Sequence, residues 1–282
     1  MKTGMIGLGA MGIGMARNIA KAGYLAGVYN RTAAKAQSLS EELNVIAYYQ
    51  PEELAANVDI VLICVSADRD VLAMVEAIAT TIKPGSIVVD MSTVSSDTAQ
   101  KAAAMLAEKQ VAFLDAPVSG GVEGAKNGSL AMMVGGDGEV LEKVRPLLEA
   151  MASRIMHMGA NGSGQATKAV NQIMGAGINQ AVTEALAFAR AQNLSMDKVI
   201  EVISGGASGN WFLQHRGSTM IRGIFVPGFK LALHHKDLKI CQSMAKQTGT
   251  STTLIDITIV DYERLIEAGY GDEDISALYR LK

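Results

Sequence analysis

The first half of the chain alternates short apolar runs with amphipathic stretches. Short apolar runs predict buried strands, and apolar positions recurring every three to four residues predict helices. The predicted strands are Lys2–Ile6, Leu25–Tyr29, Val45–Ala47, Asp59–Val65, Ser86–Asp90 and Val111–Asp115. The predicted helices between them are Met11–Ala22, Ala33–Glu42, Val71–Thr80 and Ser95–Glu108. Such alternation is typical of a parallel sheet covered by helices.

The pattern changes near residue 160. Before that point, strands at Leu130–Val134 and Arg154–Met158, with a helix near Gly138–Met151, are predicted to extend the sheet. After it, the sequence predicts only helices, at Ser163–Gln192, Met196–Ser204, Leu231–Thr248 and Thr252–Ala268. The first of these is much longer than the usual ~11–12 residues, so it can span a domain junction. We therefore predict an α/β domain at residues 1–161, an all-α domain at 162–282, and a surface tail at 271–282.

A glycine motif opens the chain, with Gly7-Leu8-Gly9-Ala10-Met11-Gly12 between the first predicted strand and the first predicted helix. In this context GxGxxG is the dinucleotide fingerprint of a Rossmann fold. Gly7 permits the tight turn, Gly9 lets the backbone approach a pyrophosphate, and Gly12 allows close helix packing. The helix N-terminus then offers N–H groups to the phosphates. The predicted fold class is α/β: a doubly wound parallel Rossmann sheet, followed by an all-α domain through a long helix. A purely structural glycine turn is the alternative.

The cofactor prediction depends on the end of the second strand. An acid there would hold the ribose hydroxyl of NAD, but this chain has Asn30-Arg31-Thr32. Arg31 can pair with a 2′-phosphate, which an acid would repel. NADP is therefore favoured and NAD is possible, with Arg31 as an ordinary solvated charge as the alternative.

Two further motifs carry candidate chemistry. Asp115-Ala116-Pro117-Val118-Ser119-Gly120-Gly121 follows a predicted strand, so its hydroxyl and N–H groups lie at the ligand-binding edge of the sheet and suit a carboxylate. Gly162-Ser163-Gly164-Gln165-Ala166-Thr167-Lys168 begins the long helix, where Lys168, Asn171 and Gln172 share one face. If that lysine is partly buried, its ammonium pKa falls toward the value a general acid or base needs. A plain turn and a surface lysine are the alternatives.

These residues carry a family resemblance. The chain resembles the β-hydroxyacid dehydrogenases, a group that includes 3-hydroxyisobutyrate dehydrogenase and the tartronate, succinic semialdehyde and glyoxylate reductases. The matching segments are GLGAMGIGMARN (7–18), DAPVSGG (115–121), GSGQATKAVNQ (162–172) and KDL (236–238), in the family's order over nearly the whole chain.

The resemblance implies roles for individual residues. Lys168 matches the catalytic lysine, and the substrate-binding positions are Ser119, Gly120, Gly121, Asn171, Gln172, Phe229 and Asp237. The predicted cofactor-binding positions are the motif residues Gly7, Gly9, Ala10, Met11, Gly12, Asn30, Arg31 and Thr32, together with Val65, and the resemblance adds Thr93 and Lys236. Gln172 departs from the second Asn of 3-hydroxyisobutyrate dehydrogenases and is found in tartronate semialdehyde reductases, which leaves the substrate open.

The predicted activity is hydride transfer between NAD(P) and a small 3-hydroxy acid, with Lys168 as general acid and base. Oxidation of 3-hydroxyisobutyrate is the first choice, and NADPH-dependent reduction of tartronate or succinic semialdehyde or of glyoxylate is the alternative. A dinucleotide-binding sensor is the non-enzymatic alternative, although it would need neither Lys168 nor the Ser119–Gly121 segment. Imine reductases share this fold but usually donate the proton from another residue type. No histidine lies in a recognisable substrate motif, and His234-His235 is interpreted as a solvated pair.

Composition limits the partners. The net charge of −3 comes without blocks of like charge, so neither nucleic acid nor a membrane surface is expected. No His, Cys and acid cluster has metal-ligand spacing, so no metal is expected. Two distant cysteines, Cys64 and Cys241, fit a reducing compartment, and we expect a cytoplasmic protein. Apolar residues on several faces of the C-terminal helices predict a homo-oligomer, dimer or tetramer.

Overall fold

The computed structural model describes residues 1–282 and divides into two compact units, Met1–Lys168 and Ala169–Lys282. The N-terminal unit confirms the predicted α/β class. Its strands are β1 (Thr3–Ile6), β2 (Leu25–Tyr29), β3 (Ile46–Tyr48), β4 (Ile60–Ile63), β5 (Ile87–Asp90), β6 (Ala112–Asp115), β7 (Val118–Ser119), β8 (Leu130–Gly135) and β9 (Ala152–Gly159). Its helices are α1 (Ala10–Lys21), α2 (Ala33–Leu43), α3 (Pro51–Asn57), α4 (Asp68–Ile78), α5 (Ser96–Ala107), α6 (Gly121–Asn127) and α7 (Gly138–Leu148).

The strands form one sheet in the order β3-β2-β1-β4-β5-β6-β8-β7, with β9 also paired to β8. The first six strands in this order are parallel, as predicted. β8 then runs antiparallel to β6 and β7, and β9 runs parallel to β8. Because β1 lies between β2 and β4, the winding reverses there, and ligands of such sheets bind outside the carboxyl ends at this point.

Both faces of the central strands β1 and β4 are buried. Along β4, Leu62 belongs to one apolar cluster, whereas its neighbours Val61 and Ile63 belong to a second cluster on the opposite face. In β1, Met5 and Ile6 are divided in the same way. Successive side chains of a strand point to opposite faces, so a continuous apolar run indicates helices on both sides of the sheet.

The C-terminal unit contains only helices, which confirms the all-α prediction. Helix α8 (Ser163–Ala191, 29 residues) enters it at Ala169, and α9 (Met196–Ser204), α10 (Trp211–Ile221), α11 (Leu231–Thr248), α12 (Thr253–Glu267) and a 3₁₀ helix (Ile275–Leu281) follow. Its core includes the fully buried side chains of Leu231, Leu238 and Tyr262. No helix of the chain combines the length and the apolar character that a membrane span needs.

The prediction of a surface tail at 271–282 is wrong. Ser276, Ala277 and Leu278 are fully buried. The N–H of Leu231 donates to the carbonyl of Glu273, and the N–H of Asp274 donates to that of Phe225. These partners are some forty residues away in the chain, so no local pattern could indicate them. Helix α10 was also not predicted.

Candidate active site

The glycine turn has the geometry that the fingerprint requires. Gly7 has a φ of +96°, and a Cβ there would lie 2.1 Å from the carbonyl oxygen of Cys64. A Cβ on Gly12 would lie 2.0 Å from the carbonyl oxygen of Gly7. A Cβ on Gly9, by contrast, would meet no atom within 4 Å. Gly7 and Gly12 are therefore required by packing. Gly9 faces open space at the N-terminus of α1, where Ala10 and Met11 begin the helix.

Asn30 and Arg31 follow β2 and differ in their surroundings. The side-chain oxygen of Asn30 accepts from the N–H of Leu8 at 2.9 Å, and its amide donates to the carbonyl of Thr32 at 3.1 Å. Asn30 thus holds the glycine turn against β2. The Arg31 side chain is 89% exposed, and its Nη1 lies 3.9 Å from Asp70 Oδ1. This guanidinium extends from the turn into solvent, where it can pair with a phosphate.

The carboxyl end of β5 carries a buried acid. Asp90 is fully buried, its Oδ1 accepts from the N–H of Ser92 at 3.0 Å, and its Oδ2 has no hydrogen-bond partner. Burial raises the pKa of Asp90 to about 6, and the nearby Asp115 carboxylate adds to the shift. The Ser92 hydroxyl accepts from the N–H of Val65 at 2.9 Å, so the segment before Thr93 is fixed to the end of β4.

The predicted carboxylate-binding segment leaves the sheet between β7 and α6. Ser119 is the last residue of β7 and is partly buried. Gly120 has a φ of +131° and Gly121 a φ of +64°. Residues other than glycine rarely adopt such positive φ values. The chain therefore turns sharply directly after Ser119, where the sequence predicts an anion-binding nest.

Lys168 lies in the second turn of α8 and is the last residue of the N-terminal unit. Only 7% of its surface is exposed. The alternative of an ordinary solvated lysine is therefore wrong, since such side chains are rarely buried without a specific reason. The residue predicted to be catalytic thus belongs to the same unit as Ser119 and the glycine turn.

The start of α8 is fixed by two residues that sequence reasoning did not single out. The Asp115 carboxylate accepts from the N–H of Gly162 at 2.8 Å and from that of Gln165 at 3.0 Å. Burial raises the pKa of Asp115, and these two hydrogen bonds oppose the shift. Gln165 is 1% exposed. Both residues lie inside the motifs described above. An acid at the end of an apolar strand was the sequence signal that could have identified Asp115.

In the C-terminal unit, a chain of polar contacts links four predicted site residues. The Asn171 amide donates to Gln172 Oε1 at 2.8 Å, and Gln172 Nε2 donates to Asp237 Oδ2 at 2.6 Å. Lys236 Nζ lies 2.9 Å from Asp237 Oδ1. Gln172 and Asp237 are buried. Gln172 therefore orients its neighbours through both ends of its side-chain amide.

The interpretation of His234-His235 as a solvated pair is wrong, because His234 is 1% exposed. Its Nε2 lies 3.2 Å from the carbonyl oxygen of Gln172, and its Nδ1 lies 3.0 Å from the Tyr262 hydroxyl. A carbonyl can only accept, so Nε2 carries the hydrogen and Nδ1 accepts from Tyr262. The Phe229 ring packs against His234 with centroids 5.3 Å apart. The periodicity of α11 places His234 one turn before Leu238, a buried position.

Comparisons with known proteins match both parts of the chain to dehydrogenases. Residues 2–159 match the family described as the NAD-binding domain of 6-phosphogluconate dehydrogenase. Residues 162–282 match the family described as NAD-binding of NADP-dependent 3-hydroxyisobutyrate dehydrogenase. The chain is 38% identical to 2-hydroxy-3-oxopropionate reductase of Escherichia coli, over 87% of this chain and 85% of that protein. It is 33% identical to NAD-dependent L-serine dehydrogenase of Pseudomonas aeruginosa, over 98% and 96%. The structure of Mycobacterium tuberculosis 3-hydroxyisobutyrate dehydrogenase with L-serine superimposes with a TM-score of 0.91 at 31% identity, covering 99% and 98% of the two chains.

Proposed function

Because the chain belongs to the β-hydroxyacid dehydrogenase family of NAD(P)-dependent oxidoreductases, we propose that it transfers a hydride between NADP and a small 3-hydroxy acid. Lys168 is the proposed general acid and base. The observation that carries the proposal is the burial of this lysine near the start of a helix that Asp115 fixes to the carboxyl edge of the sheet. The same edge leads into Ser119–Gly121.

The substrate carboxylate is proposed to bind the Ser119 hydroxyl and the N–H groups of the following glycines. The 3-hydroxyl then lies against the Lys168 amine, which takes its proton in oxidation and returns it to the carbonyl oxygen in reduction. When bound, the nicotinamide ring supplies the hydride acceptor or donor. Asn171 lies one turn after Lys168 on the same helix face and is proposed to orient the substrate oxygen, while Gln172 holds the Asn171 amide.

The described residues fit a dinucleotide. Gly9 leaves open space at the N-terminus of α1, where backbone N–H groups and the helix dipole favour a pyrophosphate. The position that would hold an acid for NAD is Asn30, whose side chain is bonded to Leu8 and Thr32. The Arg31 side chain is 89% exposed, and its only contact with an acid is the long one to Asp70 at 3.9 Å. These features support NADP over NAD.

The proposed substrate is 3-hydroxyisobutyrate. Reduction of a semialdehyde such as tartronate semialdehyde is the second candidate, favoured by Gln172 and by the 38% identical relative named 2-hydroxy-3-oxopropionate reductase. L-serine is also a 3-hydroxy acid, and it appears in the names of one relative and one matched structure. It is therefore included among the substrates to be tested.

The test is a measurement of kcat/KM for 3-hydroxyisobutyrate, L-serine, tartronate semialdehyde, succinic semialdehyde and glyoxylate with both NADP(H) and NAD(H). We expect NADP-linked turnover, with the highest kcat/KM for 3-hydroxyisobutyrate among the acids. A protein that binds the reduced cofactor yet turns over none of these compounds would instead support the dinucleotide sensor.

A further inference from the structure

The side-chain amide of Gln165 joins two segments of the N-terminal unit. Gln165 lies in the first turn of α8, one turn before Lys168. Its Oε1 accepts from the N–H of Val94 at 3.1 Å, and its Nε2 donates to the carbonyl of Ser92 at 2.8 Å. Both hydrogen bonds are buried. A single amide thus bonds to the residues on either side of Thr93.

The loop that Gln165 contacts is also held from its other side. The Ser92 hydroxyl accepts from the N–H of Val65, and the N–H of Ser92 donates to Asp90. These contacts fix the loop to the ends of β4 and β5 without any help from α8. The loop's own position therefore does not depend on Gln165, but its connection to α8 does.

The backbone of Gln165 is fixed separately. Its N–H donates to Asp115 Oδ2 at 3.0 Å. Gly164 allows this close approach, since a Cβ there would lie 2.4 Å from the carbonyl oxygen of Met133 and 2.6 Å from that of Asp115. Asp115 thus holds the helix start against β6, and the Gln165 side chain sets its distance from the loop after β5.

We propose that Gln165 is a positioning residue, which sets the place of Lys168 relative to the loop that carries Thr93, the predicted cofactor contact. This inference rests on the proposed function. Gln165 itself touches neither substrate nor cofactor in this scheme. It acts by keeping the lysine amine in register with the carbon that gives or takes the hydride, and misplacing reacting groups by about 1 Å can cost ~10²-fold in rate.

The test replaces Gln165 with Met, which keeps the length of the side chain and removes both hydrogen bonds. Gln100→Met is the matched control. The Gln100 amide donates to the carbonyl of Asn161 at 3.4 Å, just before the same helix, and this hydrogen bond is exposed. We expect Gln165→Met to lower kcat by about 10–100-fold, to retain the affinity for NADP, and to leave KM for the hydroxy acid nearly unchanged. Turnover is normalised to dinucleotide-binding sites, so that an unfolded fraction does not count as a loss of kcat.

Hydrogen exchange of the Val94 amide tests the same inference without catalysis. Exchange at Val94 should be faster in Gln165→Met than in wild type or in Gln100→Met. If the wild type turns over no compound of the panel while Val94 responds as expected, the proposed function fails and the connection through Gln165 stands. Wild-type kcat in Gln165→Met, or unchanged Val94 exchange, would overturn the inference. Should that variant not fold, Gln165→Glu tests the expected loss of kcat, since it keeps the acceptor for Val94 and loses the donor to Ser92.

Discussion

At the scale of single residues, the buried Asp90 makes stability depend on pH. Its pKa of about 6 in the folded protein lies above the ordinary aspartate value of 3.8. The folded protein therefore binds this proton more tightly than the unfolded chain. The free energy of unfolding therefore falls as pH rises between these two values and is flat above them. A shift of about two pKa units corresponds to roughly 3 kcal/mol.

Asp90→Asn removes this titration. We expect the difference in unfolding free energy, variant minus wild type, to increase by roughly 3 kcal/mol between about pH 4 and pH 7. Urea unfolding at several pH values measures it. Parallel pH profiles for the two proteins would show that Asp90 does not titrate in this range.

We propose that Arg31 sets the preference for NADP over NAD. Losing a charge-assisted hydrogen bond of about 1.5–3 kcal/mol should raise the Kd for NADP by about 10–100-fold in Arg31→Ala, and leave that for NAD nearly unchanged. Arg69→Ala is a matched control, because its side chain is also 89% exposed and also lies 3.9 Å from Asp70. Fluorescence titration with both cofactors measures the ratio, and an equal loss for NAD and NADP would contradict the assignment.

At the scale of elements, α8, α11 and α12 are joined by a buried polar chain. The Tyr262 hydroxyl donates to His234 and accepts from the Asn179 amide at 3.0 Å, and burial raises the pKa of Tyr262. Tyr262→Phe leaves His234 and Asn179 each without one partner, so it should cost about 1–3 kcal/mol. Tyr279→Phe removes a buried hydroxyl that has no partner and should be neutral or stabilising. Equal thermal shifts for both variants would contradict this interpretation.

The elements also show why some predictions worked and others did not. The central strands β4 and β5 were found because both of their faces are buried, so each is a nearly continuous apolar run. Helix α10 was missed because Gly205, Gly206 and Gly209 precede it and its large apolar residues lie only in its first and last turns. His234 was misassigned because burial of one histidine of an adjacent pair depends on the packing of α8 and α12.

At the scale of the whole molecule, the motifs identified most of the candidate site because each depends on local backbone geometry. The tight turn at Gly7 and the positive φ values at Gly120 and Gly121 are fixed by a few neighbouring residues. The anchoring of α8 by Asp115 and Gln165 joins positions some fifty and seventy residues apart. Such contacts arise only once the sheet has formed, so local sequence patterns do not show which residues will meet.

Assembly is a prediction at the same scale. Within the C-terminal unit, large apolar side chains remain exposed on several helices, among them Met174, Phe188, Val202, Ile257 and Val260. Exposed apolar surface of this extent is typical of interaction sites, so we propose a homo-oligomer. Light scattering coupled to size-exclusion chromatography should give a mass that is a multiple of 29.6 kDa. A monomer at micromolar concentration would contradict the proposal.

We propose that the buried amine of Lys168 moves the proton that accompanies hydride transfer. The most direct test compares kcat and NADP affinity in Lys168→Ala with those in Lys126→Ala, which alters an exposed lysine of the same unit. We expect kcat to fall by about 10²–10⁴-fold only in Lys168→Ala, with NADP affinity retained in both variants. A Lys168→Ala variant that keeps most of the wild-type turnover would contradict the claim.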